Sequence, residues 1–557
     1  MAQTIKSYNK RLESMKSERS SFLPVYRELS DNMLSFRGRF LTDDVNDGKK
    51  RNTKQLNNKP RMSVRTLASG MMSGITSPAR PWFQLGSGDP DLNEHAAVKE
   101  WLHQVQTTMY RVFSQSNLYN SLHMLYLEIG VFGTGAMGVY ADFENVIHCV
   151  TYTVGAYSLA ADGKNRIDTF YREYELTVSQ LVKEFGIENC SRSVQDMWKN
   201  GNTETWVKLV HAVEPNDDRD QMSPLAGDKP WRSVYYEVSR SNRDATDIFL
   251  RESGFDEFPL MAPRWNVTGE DIYGTDCPGM DALGDAKALQ LGETRKFTAI
   301  DILVKPPLQG PSNLRDQVSN GGLAPGEVIW TDQQGVGLKS VYDFRPDLNG
   351  MMAVNQESEQ RVSRAFYEDL FLMLANSDRR QITAREVAEK QEEKLLMLGP
   401  VLERLHTELL DPLIDRTFNM LQNAGVLPPP PPELQDRELR VEYVSVLAQA
   451  QRMVAVSGLE RTVGFAANLA QMWPEARHKI DPMQAIDEFS TAMGVNPRVV
   501  NPDDKAQQAM AGEQAAAAQQ QAAQQGASMA DTAKTISETQ ITEGNALNAA
   551  LQNAGVL

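Results

Sequence analysis

Three glycines in the chain stand at the spacing of a dinucleotide-binding loop. Gly133, Gly135 and Gly138 match G-x-G-x-x-G, a loop that lies between a strand and a helix and brings a pyrophosphate to the helix N-terminus. Here the order is reversed, because an apolar helix over about 118–129 precedes the glycines and a strand follows them. About twenty residues on, Ser158 stands where an acidic ribose ligand is expected. The spacing therefore favours a tight turn with close packing, and a nucleotide-binding enzyme is the weaker alternative.

Other signatures of enzyme or metal chemistry are missing from the sequence. It contains no G-x-x-x-x-G-K-[ST] loop, and its seven histidines form neither H-E-x-x-H nor an i, i+4 pair. The three cysteines, at 149, 190 and 277, are odd in number and form no C-x-x-C pair, which argues against a disulfide framework or zinc cluster. The many Asp and Glu residues are typical of solvated helix faces. The sequence predicts no enzyme, no metal site and no cofactor.

A basic doublet, Arg379-Arg380, lies in a polar break between two long predicted helices. An ordinary helix connection with charged ends explains it. Lys305, at the end of the preceding predicted helix, has a local explanation too, because a cation interacts favourably with a helix C-terminus. Local patterns alone leave the role of these three cations open.

Charge is distributed unevenly along the 557 residues. The formal net charge is −16, but the first 80 residues carry +9 and the remainder −25. The basic end fits either a solvated helix and loop, or a surface that meets an acidic neighbour or a nucleic acid. The acidic remainder argues against a protein that coats nucleic acid by charge alone.

Composition bounds the class of protein further. A hydrophobic fraction of 41% is enough for a sizeable core. No apolar run approaches the ~18 residues that a membrane span needs, and the N-terminal stretch lacks the apolar segment of a secretory signal. We therefore expect a soluble protein, folded in a reducing compartment, without membrane insertion.

Hydrophobic periodicity predicts a mainly helical chain with one β-rich region. Helices are expected over 4–36, with a kink or break at Pro24, and over 98–113, 118–129, 280–303, 351–374 and 383–424. Alternation between 137 and 249 predicts strands, interrupted by one helix at 179–185. This is an α+β pattern.

Proline and glycine divide the second half of the chain. Pro400 and Pro412 are expected to bend or break the long helix, which ends at Gly425 and the run 428–432. Short strands are predicted within 326–344 and at LRVEYVS. The Ala- and Gln-rich residues 505–557 are expected to be either disordered or helical beside copies of themselves.

Several blocks in this order resemble the portal proteins, or head-to-tail connectors, of short-tailed bacteriophages. After the doublet come T-A-x-E-V, L-G-P-V-x-x-R-L and E-L-L-x-P-L-I-x-R, then the proline-rich stop. Supporting segments are MMSGITSPARPWFQL, VFGTGAMGVY and PMQAIDEFSTAMGVNPRVV. The resemblance spans about residues 5–500, and the Ala/Gln tail lies outside it.

The resemblance implies a portal fold with a β-rich wing, a helical stem, a small α/β clip and a helical crown, assembled as a ring. The implied parts are a wing (1–279), a first stem helix (280–303), a clip (304–349), a second stem helix (350–374), a tunnel loop (375–381), a long kinked wing helix with the proline-rich stop (382–432), a crown (433–504) and a tail or helical barrel (505–557). The tunnel loop would contain Asn376, Ser377 and Asp378. Arg379, Arg380 and, more weakly, Lys305 would contact DNA in the channel.

The resemblance also implies a function and partners. A homo-oligomer, usually a dodecamer, would form a channel at one capsid vertex through which double-stranded DNA is packaged and later ejected. It would dock the terminase and then the tail, and meet major capsid, scaffolding, tail adaptor and internal core or ejection proteins. We would expect it in the virion, at the head–tail junction, after synthesis in the host cytoplasm. A tail adaptor or tube ring that never meets the terminase is the closer alternative.

Overall fold

The computed structural model describes residues 4–40, 55–93, 95–223, 225–238, 249–304, 347–372 and 398–434, with shorter stretches between 308 and 340 and beyond 439. Its α-helices are α1 (Ile5–Ser20), α2 (Leu23–Asn32), α3 (Lys59–Gly74), α4 (Pro90–Asn93), α5 (Ala96–Gln115), α6 (Leu118–Phe132), α7 (Val178–Phe185), α8 (Arg192–Lys199), α9 (Pro278–Val304), α10 (Leu348–Ala365), α11 (Asp411–Asn423) and α12 (Pro482–Met493).

The strands are β1 (Phe83–Ser87), β2 (Ala136–Asp142), β3 (Val146–Tyr152), β4 (Tyr157–Ala161), β5 (Ile167–Thr177), β6 (Trp206–Pro215), β7 (Trp231–Glu237), β8 (Arg251–Phe255), β9 (Leu260–Met261), β10 (Leu308–Gln309), β11 (Lys339–Ser340) and β12 (Leu439–Tyr443). Two compact units are formed. The first contains residues 1–85, 104–429 and 441–464, and the second contains 86–103, 430–440 and 465–557. The mixture of helix and sheet confirms the α+β class.

A five-stranded antiparallel sheet, in the order β4-β5-β6-β7-β8, forms the largest β-structure of the first unit. Helix α1 lies across one face because Ile5, Tyr8, Leu12 and Met15 recur at helical spacing and pack on the buried side chains of the sheet. Helices α7 and α8 cover apolar residues of the other face. Helices therefore cover apolar residues on both faces of the sheet, whereas alternating strand sequences require only one buried face.

Two local helix predictions in this region had different outcomes. The predicted break in the first helix is confirmed, because Pro24 lies in the first turn of α2, where a missing N–H has no cost. The single helix predicted within the β-rich region is α7, but the structure adds α8, which begins at the cap Ser191. Only Val194 of α8 is buried, so its eight residues carry too little apolar periodicity to be recognised from sequence.

The glycine motif forms a helix-to-strand turn. Gly133 ends α6 in the left-handed conformation, with φ 74°, and Gly138 lies within β2. A Cβ on Gly135 would lie 2.5 Å from the Leu125 side chain, and one on Gly274 would lie 2.1 Å from the Gly133 carbonyl oxygen. The prediction of a tight turn with close packing is confirmed, and this order of elements is the reverse of a dinucleotide-binding unit.

Some cations of the basic N-terminal region are neutralised within the chain. Arg11 pairs with Glu214 at 3.0 Å, and Lys16 pairs with Glu173 at 2.6 Å, both on the sheet beneath α1. Lys59 pairs with Glu368 at 2.7 Å. Of the two interpretations left open by the sequence, an acidic neighbour is therefore present, and it belongs to the same chain. The cations at positions 49–51 and 54 lie outside the described residues.

Glu128 gives this region a predicted pH dependence. Burial raises the pKa of this fully buried carboxyl to about 7, against the lowering effects of Arg37 and of hydrogen bonds from Thr153 and Val154. Since the folded protein then holds a proton that the unfolded chain releases, stability should fall as pH rises from about 4.5 to about 7, by on the order of 3 kcal/mol. Urea unfolding at pH 5 and pH 8 measures this. Glu128→Gln should flatten the dependence, and an unchanged slope would contradict it.

The long helix after residue 397 is irregular next to its second proline. Residues 398–423 are helical, and a π-turn, His406–Leu410, comes directly before α11 and Pro412. Proline lacks the N–H of a regular helical bond, and the wider π-turn accommodates that loss. The helix ends as expected at Gly425, whose φ is 67°.

The second unit contains α4, the first turns of α5 and α12. In it, the Lys99 amine donates a hydrogen bond to the Val500 carbonyl at 3.4 Å. The helix predicted over 98–113 is confirmed as α5, and the strand predicted at LRVEYVS is confirmed as β12. Parts of the Ala/Gln-rich segment, 508–513 and 515–519, are helical, and the rest of it lies outside the described residues.

Candidate functional site

The two long helices α9 and α10 pack against each other and run antiparallel. Near the start of α9, Asp285 accepts a hydrogen bond from Arg361 at 3.4 Å, and further along Glu293 accepts one from Asn355 at 3.0 Å. Next to the second contact, Gly292 allows close approach, because a Cβ there would lie 2.2 Å from the Asn355 side-chain oxygen. The predicted helix over 280–303 is thus confirmed as α9, one helix of 27 residues.

A part-buried polar network joins residues 56 and 57, within the basic N-terminal region, to this helix pair. Gln290 of α9 accepts hydrogen bonds from the N–H groups of Leu56 and Asn57, at 2.7 and 2.9 Å, and donates to the Asn57 carbonyl at 2.8 Å. The Asn57 amide donates to Glu359 of α10 at 2.8 Å. Because the Gln290 side chain is only 7% exposed, it is largely shielded from water where it makes these bonds to the segment.

One face of α9 is buried at its start and exposed at its end. It begins with three buried residues spaced three or four apart: Ala282, Ala286 and Leu289. The same spacing continues to Phe297, Ile300 and Val304, which are 51%, 36% and 59% exposed. We call these last three residues the apolar end of α9. An apolar helix face of this kind is suited to packing against another protein surface.

The second long helix is shorter than the sequence predicted. A single helix was expected over 351–374, but α10 ends at Ala365 and a new helical turn begins after Tyr367, whose φ is +53°. This conformation is strained for a bulky residue. It is compensated by burial of Phe366, Leu370 and Phe371, and the Phe371 ring occupies the space that a Cβ on Gly70 of α3 would take. Tertiary packing therefore overrides the local helical pattern.

The residues predicted to line a channel cannot be placed. Arg379, Arg380 and the tunnel-loop residues Asn376, Ser377 and Asp378 lie outside the described residues, as does Lys305. The described residues end at Val304, directly before Lys305, and at Leu372, four residues before Asn376. Of the predicted clip strands, β11 lies within 326–344 and pairs with β10, in the register Leu308–Ser340.

Comparison with known proteins gives the family. Residues 5–500 match the model of the bacteriophage head to tail connecting proteins. The chain belongs to this family. It is 46% identical over 548 residues to the portal protein of Salmonella phage epsilon15, with 98% of each chain covered. It is 43% identical over 538 residues to the probable portal protein of Bordetella phage BPP-1, covering 96% of this chain and 95% of that one.

Membership of this family implies partners and assembly. A connector links the phage head to the tail, which implies capsid and tail proteins as partners and assembly from several copies. Within the described residues, no helix of this connector is long and apolar enough to cross a membrane, and no group of three metal-binding side chains occurs.

The apolar end of α9 is the feature that sequence reasoning missed. The sequence does show the pattern, because apolar residues recur three or four positions apart between residues 282 and 304. Periodicity identifies the apolar face of a helix, but it cannot tell which part of that face the rest of the chain leaves uncovered.

Proposed function

We propose that this connector is a viral portal protein. Copies of the chain form a ring, with the dodecamer usual in the family as the expected assembly, around a channel at one capsid vertex through which double-stranded DNA is packaged and later ejected. The observation that carries this proposal is near-full-length similarity to two relatives whose names are portal protein and probable portal protein. The proposed protein is a structural component of the virion and not an enzyme.

The apolar end of α9 supports assembly into a ring. Closed rings need two different surface patches on each copy that fit one another. Phe297, Ile300 and Val304 provide an apolar patch on a helix that packs against α10. We therefore propose that α9 and α10 form the stem, and that the apolar end of α9 packs against the next copy.

The remaining parts follow the segmentation that the sequence suggests. The proposed wing is 1–279, the clip 304–349, the tunnel loop 375–381, the long wing helix 382–432 and the crown 433–504, with 505–557 as a tail or barrel. Every copy adds a charge of −16, so a channel of average composition repels DNA phosphates and lowers friction. A few cations, proposed to be Arg379, Arg380 and Lys305, contact the backbone without reading sequence.

The doublet gives a direct prediction about DNA. Replacing Arg379 and Arg380 together by alanine should leave the ring intact but lower DNA packaging or retention, because phosphate contacts in the channel are lost. Particle assembly by electron microscopy and encapsidated DNA per particle measure the two effects. Lys199→Ala, at an exposed position of α8, is the control. Unchanged phage yield in the double variant would reject these residues as channel contacts.

A tail adaptor or tube ring is the competing function. Both classes form rings, so the discriminating property is docking of the packaging motor. The sequence has no P-loop of its own, and a portal must therefore recruit a terminase that supplies ATP hydrolysis. Co-sedimentation of purified rings with the phage terminase supports the portal. Rings that bind tail proteins but no terminase support the adaptor.

A further inference from the structure

Arg19 is a buried cation that no carboxylate among the described residues neutralises. It lies in the last turn of α1, is 7% exposed, and donates from Nη1 to the backbone carbonyl of Tyr157. Its Nε is also buried and has no acceptor within the described part of the chain. Because an unpaired buried charge is costly, this guanidinium retains a capacity to bind an anion.

Arg19 lines a cavity of about 290 Å³ beside the end of α1. Lys16, Arg39 and Lys208 also line it. This volume lies at the lower end of the range for small-ligand pockets. DNA-binding surfaces present exposed cations along a backbone, whereas Arg19 lies at a buried position, so the cavity suits a single small anionic group.

Two further features of the lining restrict the kind of anion. Glu173, which pairs with Lys16 at 2.6 Å, and Glu175 contribute carboxylates. These carboxylates offset part of the positive charge of the lining and repel a doubly charged phosphate more than a singly charged group. Leu23, Phe40 and Leu209 contribute apolar surface. A single negative charge on a short apolar chain satisfies both conditions.

We propose that this cavity binds a carboxylate carried on a short aliphatic chain, with Arg19 as its buried anchor. The carboxylate can come from a free small acid or from a glutamate side chain of a partner polypeptide. In either case the ion pair with Arg19 forms away from bulk water, where it is stronger than at the surface.

Calorimetric titration of the full-length protein tests the site with butyrate, with acetyl-Ala-Glu-Ala-amide and with inorganic phosphate. Binding of butyrate supports a free acid as the ligand, and binding of the peptide alone supports a polypeptide source. Arg19→Met should weaken the binding of either carboxylate at least about tenfold, while Arg19→Lys should retain part of it. Lys183→Met, at an exposed position of α7, should change nothing.

Three results would overturn the proposal: phosphate binding more tightly than both carboxylates, neither carboxylate binding, or Arg19→Met binding like the wild type. If Arg19→Met fails to fold, Lys208→Met provides the same comparison from an exposed position on the cavity wall. It should weaken carboxylate binding by about threefold, and unchanged binding by this variant counts against the site.

Discussion

Replacing Phe297 and Ile300 together by aspartate is expected to convert the proposed rings of this connector into monomers. A large apolar side chain contributes about 1.5–3 kcal/mol to the free energy of association when it becomes fully buried. Within one chain, Phe297 is 51% exposed and Ile300 is 36% exposed. The fold of the single chain should therefore change little, while the contact between copies loses its apolar surface and gains two charges. We expect association to weaken at least about a hundredfold.

Analytical ultracentrifugation measures this loss, with circular dichroism to show that the variant remains folded. The matched control is Thr294→Asp with Thr298→Asp, two exposed positions on another side of the same helix. Rings that persist in the Phe297/Ile300 variant would show that the apolar end of α9 does not join copies. Rings lost equally in both variants would mean that helix charge, rather than this face, controls assembly.

A second large effect is expected at the anchor of the long helix. Glu408, in the π-turn before Pro412, accepts hydrogen bonds from Nη2 and the backbone N–H of Arg264, at 2.7 and 2.8 Å. Arg264 is 3% exposed. Glu408→Gln leaves a buried guanidinium without its carboxylate, which typically costs about 3–5 kcal/mol. Urea unfolding should show a loss of about 3 kcal/mol, since Glu408 itself retains some contact with water.

A double substitution separates the ion pair from the packing. Arg264→Met with Glu408→Leu removes both charges and keeps apolar volume, so we expect it to be more stable than Glu408→Gln alone. Arg166→Gln, which breaks an exposed pair with Asp162, should destabilise the protein much less than Glu408→Gln does. If Glu408→Gln has the same urea midpoint of unfolding as the wild type, the Arg264–Glu408 pair does not anchor the helix.

Sequence periodicity predicted the long elements well because each has enough residues to show its pattern. Helices α5, α6 and α9 were all expected, and so was the order of elements around Gly133, with a helix before it and a strand after it. The break in the second long helix was not predictable, since it depends on packing of Phe371 against Gly70, about 300 residues away.

The charge pattern shows the same limit. An excess of cations in the first 80 residues was visible in the sequence, but their partners were not. Arg11 and Glu214 lie about 200 residues apart and meet because α1 crosses the sheet. Likewise, the candidate channel residues Arg379 and Arg380 came from the family resemblance, and they remain a proposal.

Electron microscopy of the purified protein tests the central claim most directly. We predict closed rings, twelve copies being the number usual in the family, with a central opening wide enough for a DNA duplex. Docking the α9–α10 pair into such a map should place Phe297, Ile300 and Val304 against the neighbouring copy. Monomers, or rings whose opening is too narrow for a duplex, would contradict a portal function.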